Sequence, residues 1–183
     1  MVTIVACSIL NPEISQVVAR LQVQVTCVWM PPELHNNPLK LKEELEFTLK
    51  SIDGPKLVVY GRCFPQIDTV CHQYGAERIE GENCYEMVAG DRFYQILKKE
   101  PGTYFLLPQL CQNFEELTQE MHLTCMKDVF FKNYTQCILL DTGAASTAQC
   151  RTVAESLGLP LHTEYVGINI LEKRLKVVLD KIE

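Results

Sequence analysis

Apolar residues in this chain fall into short, almost unbroken runs, and these alternate with stretches of helical period from the first residues onward. VTIVAC (2–7) is a continuous run rich in β-branched residues and reads as a buried strand. NPEISQVVARL (11–21) follows as a helix, with Asn11 placed as its cap, Pro12 at the first helical position and Glu13 near the positive dipole end. VQVTCVWM (23–30) is strand-like. PLKLKEELEFTLKSI (38–52) carries Leu41, Leu45 and Leu49 as an apolar stripe at helical spacing, which marks a face turned to the core.

The rhythm continues with strands at 55–60, 76–80, 102–108, 136–141 and 162–167. Helices are predicted over 65–75, 83–99 (one helix, or two about Gly90), 112–121, 147–158 and 168–182. Strands that alternate with helices predict an α/β fold, a largely parallel sheet flanked by helices in Rossmann-like layers. We read residues 1–183 as a single domain, with two lobes meeting near 122–136 as the alternative.

Composition narrows the function classes. The chain is 47% hydrophobic and 22% charged, which is that of a folded protein. Its net charge is −6, and no basic run exceeds two residues, which argues against nucleic acid or an anionic membrane surface as partner. The acidic residues are assigned to solvated helix faces. Met1-Val-Thr-Ile-Val has no basic region before it and its apolar run breaks at Asn11-Pro12, so it reads as a first strand rather than a signal peptide. No apolar segment approaches the roughly 20 residues that cross a bilayer, and a cytoplasmic location is expected.

Nine cysteines, at 7, 27, 63, 71, 84, 111, 125, 137 and 150, stand out in such a chain. In a reducing compartment they stay thiols, each serving as packing, ligand or reagent. No G-x-G-x-x-G, P-loop, H-E-x-x-H, G-x-S-x-G or C-x-x-C occurs. Position is then the guide, because parallel α/β sheets gather ligands outside the carboxyl ends of their strands. Cys7 ends the first strand, His35 lies in the PPELHNNP loop after the second, Cys63 ends the third, and Cys84 opens the helix after the fourth.

Thiolates and imidazole suit zinc, iron or an iron–sulfur cluster. Each residue has a plainer alternative, since free cysteine packs as a small hydrophobe and a loop histidine often only meets water. Gly61 permits a backbone turn before Cys63, Arg62 is placed to lower the Cys63 thiol, and a helix dipole favours the Cys84 thiolate. Cys27 and Cys137 are read as strand packing, and Cys71, Cys111, Cys125 and Cys150 as core. Arg92 and Tyr94, shortly after Cys84, are candidates to line a cofactor pocket, with surface ion pairing as the plainer reading of Arg92. In DTGAAST (141–147), Gly143, Ser146 and Thr147 offer amides to an anion, against an ordinary helix cap.

Taken in order, IVACSILNPEI, LHNNPLKLKEEL, VVYGRC, NCYEMVAGDRFY and GTYFLLP resemble an uncharacterised domain-of-unknown-function family of methanogenic archaea and anaerobic bacteria. Its members are often encountered near corrinoid-dependent methyltransferase systems. The resemblance places the family's cysteine and histidine pattern on Cys7, His35, Cys63 and Cys84. It implies a role in anaerobic one-carbon metabolism, with a corrinoid protein or methyltransferase as partner. Departures occur at Phe64, Asn83 and Gln109-Leu110, where relatives tend to carry Gly, an acidic residue and Gly-Trp. The expected function is thus binding of zinc or an iron–sulfur cluster by those four donors, with corrinoid reached only through a partner because D-x-H-x-x-G is absent. The alternative is a non-catalytic accessory or cofactor-handling protein. Enzyme activity and oligomeric state are left open.

Overall fold

The computed structural model describes residues 1–118 and 129–182. Seven strands form two sheets, and every pairing in both is parallel. The first sheet joins β1 (Val2–Cys7), β2 (Val25–Met30), β3 (Lys56–Val59) and β4 (Ala76–Arg78) in the order β2-β1-β3-β4. The second joins β5 (Thr103–Leu106), β6 (Gln136–Asp141) and β7 (Leu161–Tyr165) in sequence. The expected parallel α/β fold is therefore present, with its strands shared between two sheets. The change of sheet falls between Arg78 and Thr103, upstream of residues 122–136.

The helices are α1 (Asn11–Leu21), α2 (Pro38–Ser51), α3 (Ile67–Gln73), α4 (Cys84–Ala89), α5 (Asp91–Lys99), α6 (Pro108–Gln112), α7 (Phe114–Thr118), α8 (Ala148–Leu157) and α9 (Asn169–Ile182). Short 3₁₀ turns at Ser8–Leu10 and Pro32–Asn36 follow β1 and β2. Gly90, at φ +53°, separates α4 from α5. Asn11 is not the cap of α1: it is already helical, Leu10 precedes it, and its side-chain oxygen accepts from Ser15 Oγ at 2.9 Å. The α2 stripe behaves as its spacing requires, with Leu41, Leu45 and Leu49 all buried in the hydrophobic core. No helix among the described residues is long and apolar enough to cross a membrane.

The carboxyl edges of the two sheets lean on one another. Helices α6 and α7, which leave β5, pack on the turns that leave β1 and β2. Asn36 Nδ2 donates to Leu117 O at 2.9 Å, and Thr142 Oγ1, just past β6, donates to Glu13 Oε1 at 2.8 Å. The last helix then crosses back to the first half, where Arg20 meets Glu172 at 3.3 Å and Arg174 clasps Glu86 with both terminal nitrogens. Glu13 and Glu86 are buried, so the assignment of acidic residues to solvated faces fails at these two positions. Both serve as fasteners between the halves.

These two carboxyls titrate in opposite senses. Burial raises Glu13, and the Thr142 bond offsets only part of that. Burial also works against ionised Glu86, but the Arg174 bond, the Glu82 amide and the Arg174 charge together hold it below its usual range. For Glu13 the fold binds the proton more tightly than the unfolded chain does. Its contribution is complete below the ordinary value of 4.5 and is lost as pH rises through the raised value. Glu13→Gln, which stays neutral and still accepts from Thr142, should therefore gain melting temperature over the parent protein as pH rises from 4.5 towards 8. For the partly buried Arg174–Glu86 pair, Arg174→Ala leaves a buried carboxylate alone and should cost about 3 kcal/mol in urea unfolding.

Candidate functional site

Strand order puts a topological switch point between β1 and β3. The chain leaves β1 towards β2 on one side and returns across it to β3 on the other, which opens a crevice at the carboxyl ends of these strands. Cys7 closes β1 there. One step beyond the Ala6–Val59 register pair, Tyr60 lies opposite it at the end of β3. Cys63 follows in the loop from β3 to α3, and Cys84 is the first residue of α4.

Residues 61 and 63 meet residues 82–84 because the backbones touch. A Cβ on Gly61 would stand 2.6 Å from the Asn83 Cα and 2.7 Å from the Glu82 carbonyl oxygen, so only glycine fits. Its φ is not positive, and close approach, not a left-handed turn, is what the position demands. The Arg62 amide donates to Glu82 O at 2.8 Å and ties the two loops together. The start of α4 is fixed independently. Asn83 Oδ1 accepts from the Glu86 amide at 2.9 Å, and Glu86 Oε2 accepts from the Glu82 amide at 3.1 Å, a reciprocal cap of the capping-box type.

Arg78, at the end of β4, braces the site from beneath. Its side chain is 8% exposed and donates to Tyr60 O at 2.8 Å, to Gly81 O at 3.0 Å and to Asp68 at 2.6 Å. Arg62, the neighbour of Cys63 in sequence, points outward instead to Asp68 and Glu82. The charge that lowers the Cys63 thiol is thus that of Arg78, and it offsets only part of the rise that burial causes.

Cys7, Cys63 and Cys84 are close enough for each other's charge to be felt. Burial pushes Cys7 up to about 11, and ionised Cys63 and Glu33 add to the rise. Cys84 keeps some residue surface open, yet its thiol is packed round on all sides. Burial raises it well above the ordinary range, the charges of Cys7 and Cys63 raise it further, and the Tyr85 and Cys84 amides at the helix start offset only part of this. Tyr60 is 2% exposed beside Cys7 and Cys63, and its hydroxyl makes no well-formed hydrogen bond among the described residues. Sequence reasoning missed Tyr60 and Glu33. The signal for Tyr60 was present as a polar-tipped aromatic closing an otherwise aliphatic strand.

His35 is turned elsewhere. Its Nδ1 lies against Pro32 O, a local contact that orients the ring. The ring lines a cavity of about 200 Å³ with Asn36, Tyr104, Phe114, Phe131 and Tyr134, on the side of the second half. None of the three thiols lines that cavity. Among the described residues, no three His, Cys, Asp or Glu side chains stand together as a ready metal-holding group.

The remaining candidates separate as follows. Arg92 donates to both oxygens of Glu164, at 2.6 and 3.1 Å, while Tyr94 packs edge-on against Phe93. In the 141–147 loop two amides are taken by its own side chains: Gly143 N donates to Asp141 Oδ1 at 2.9 Å and Ala144 N to Thr142 Oγ1 at 3.3 Å. Cys27 is half-buried on the edge strand, Cys71 and Cys137 are buried, and Cys111 and Cys150 lie beside one another in the second half. Cys125 falls outside the described residues.

No curated protein matches the chain, and no solved structure does either. Residues 29–175, which include His35, Cys63 and Cys84, match the family described as a protein of unknown function (DUF1638), and the chain belongs to that family.

Proposed function

We propose that this protein binds a soft metal ion, zinc or the iron of a small cluster, through Cys7, Cys63 and Cys84 at the β1/β3 switch point. The observation that carries the reading is the grouping itself: three thiols from three separate segments in one desolvated crevice, beside a buried Tyr60 hydroxyl that has no full partner. Without a cation the three repel one another as thiolates and stay protonated. A soft cation replaces three protons, relieves that repulsion and suits sulfur better than Mg²⁺ or Ca²⁺ would.

The donors fit such an ion by chemistry, and binding draws the three sulfurs closer than they stand without it. Arg78 and the Gly61 contact hold the loops within that reach, and Tyr60 is left to hydrogen-bond a ligand sulfur. A bound metal would supply a thiolate that is nucleophilic at neutral pH, or electrons in the case of a cluster. His35 is left out of the ligand set because its ring lines another cavity. The setting we attach to this site is anaerobic one-carbon metabolism, in which the protein serves a corrinoid-dependent methyl-transfer partner. That setting rests on the five sequence segments that resemble the family.

Anaerobic titration with Zn²⁺, followed by elemental analysis and by the protons released, tests the reading. One metal per chain should bind with release of more than one proton. Cys63→Ser and Cys84→Ser should abolish stoichiometric binding, while Cys71→Ser and His35→Ala should leave it intact. Equal metal content in all five proteins, or none in any, would sink the proposal. Gly61→Ala should weaken binding at least tenfold, an added barrier of about 1.4 kcal/mol, because it pries apart the loops that bear Cys63 and Cys84.

A further inference from the structure

The second sheet ends on β7, and among the described residues β6 is the one strand that pairs with it, so one edge of β7 is open. The backbone groups on that edge can be identified. Cys137 N donates to Pro160 O and Val166 N to Asp141 O, each at 2.8 Å, which turns residues 160 and 166 towards β6. A strand alternates with period two, so His162 and Glu164 also direct their N–H and C=O to β6. Leu161, Thr163 and Tyr165 direct theirs away, and no turn or loop of the described residues meets them.

Open edges are ordinarily guarded by proline, lysine, a bulge or a covering element. LHTEY contains neither proline nor lysine, its register with β6 runs without a bulge, and His162, Thr163 and Tyr165 are exposed. Unguarded outward amides and carbonyls suit one kind of ligand, a further strand.

The side chains say which strand, because β7 matches a reversed copy of itself. Laid antiparallel about Thr163, it sets Leu161 opposite Tyr165, His162 opposite Glu164 and Thr163 opposite Thr163. Outward residues then meet outward residues, and every outward N–H and C=O of both strands exchanges a bond. His162 and Glu164 fall in the intervening pairs, where side chains stand closest. Glu164 is already oriented: Arg92 of α5 grips both its oxygens, at 2.6 and 3.1 Å, and lone pairs remain for an imidazole N–H. Lys99 and Glu100 of α5, which border the same groove as His162, carry opposite charges. On the other face Tyr165, 73% exposed, lies over two glycines. A Cβ on Gly143 would stand 3.5 Å from its ring, and one on Gly167 3.7 Å from its hydroxyl. The other outer strands offer no such match: β2 and β5 carry no charge, and β4 spans 3 residues.

We propose that the β7 edge is a docking surface for a second copy of this chain, with the two β7 strands antiparallel about a two-fold axis at Thr163. The contact is isologous, so each copy gives and receives the same bonds. Two three-stranded sheets become one continuous sheet across the dimer. His162 of each copy donates to Glu164 of the other, and Tyr165 of each covers Leu161 of the other. Because the paired strands run in opposite senses, the carboxyl edges of the two second sheets face opposite ends of the dimer.

Sedimentation equilibrium and amide hydrogen exchange by NMR on the full chain, over a range of protein concentrations, test this. The mass should rise from 20.9 kDa towards twice that value. The Leu161, Thr163 and Tyr165 amides should exchange fast in dilute protein and slow at least tenfold, roughly, as dimer forms, while His162 and Glu164 stay slow throughout. His162→Glu, an exposed change that sets carboxylate against carboxylate, should weaken association about tenfold or more with its melting temperature close to the parent's. Thr163→Pro, which removes a central amide that bonds nothing in the single chain, should abolish association. A dimer whose three outward amides stay fast, or which His162→Glu leaves intact, would place the interface elsewhere and overturn the proposal. So would a monomer at every concentration: slow outward amides would then mean an edge covered from within the chain, and fast ones an edge left for a different partner. These readouts are indifferent to whether the switch-point thiols bind metal.

Discussion

The Arg78 guanidinium lies where β4 ends, and three acceptors converge on it: the Tyr60 carbonyl, the Gly81 carbonyl and the Asp68 carboxylate. Parallel strands that end together leave carbonyls with no strand to pair with, and buried carbonyls need donors. A fork of fixed geometry meets several at once, which an ammonium does less well. By satisfying them, Arg78 holds the loop that carries Cys63 and the loop that leads to Cys84 on one base. The same charge tempers the desolvation of Cys63. Remove that brace and the two loops are left with the Gly61 contact, the Arg62 amide bond and the exposed Arg62–Glu82 ion pair to hold them together.

A chain of fasteners runs from this point to the far end of the sequence. Arg174 on α9 holds Glu86, Glu86 caps α4 through the Glu82 amide, and α4 begins with Cys84. The last helix thus helps to set the position of a thiol near the middle of the chain. Glu13 plays the matching part at the start, joining α1 to the loop after β6 through Thr142. Its second oxygen and the Gln16 side-chain oxygen are both buried without a donor, and both lie on α1 at i and i+3. Burial of an oxygen with no donor agrees with the direction in which this carboxyl is shifted. The halves are therefore coupled through one carboxyl that burial raises and one that Arg174 lowers.

Much of this was legible in the sequence. Runs such as VTIVAC and QCILLD had to be strands, because a β-branched apolar run buried on both faces suits a parallel sheet, and the Leu41, Leu45, Leu49 stripe had to face it. The division into two sheets was not legible, because a strand's apolar run looks the same whichever neighbour it pairs with. Cys7, Cys63 and Cys84 were traced to one edge from strand order alone, and the structure brings them within electrostatic reach of one another. His35 was placed on that edge as well; its ring orientation is set by a local contact with Pro32 O that spacing cannot reveal. Arg62 looked like the partner of Cys63 because it is adjacent, whereas the partner is Arg78, adjacent only once β4 has paired with β3. Glu13 read as a dipole partner in a first turn; its burial depends on a loop more than a hundred residues away.

Nine cysteines in one chain invite a single explanation, and the surroundings resist one. At the switch point, three thiols from three segments share a crevice with a buried cation beneath and no base among them, so each is held protonated until something replaces the protons. In the second half, Cys111 and Cys150 are buried on two helices that pack on each other, α6 and α8. Tyr85 stands between these groups: it is packed round on all sides, it feels Cys84 from one direction and Cys111 from the other, and its ring packs against Phe93 and Phe105.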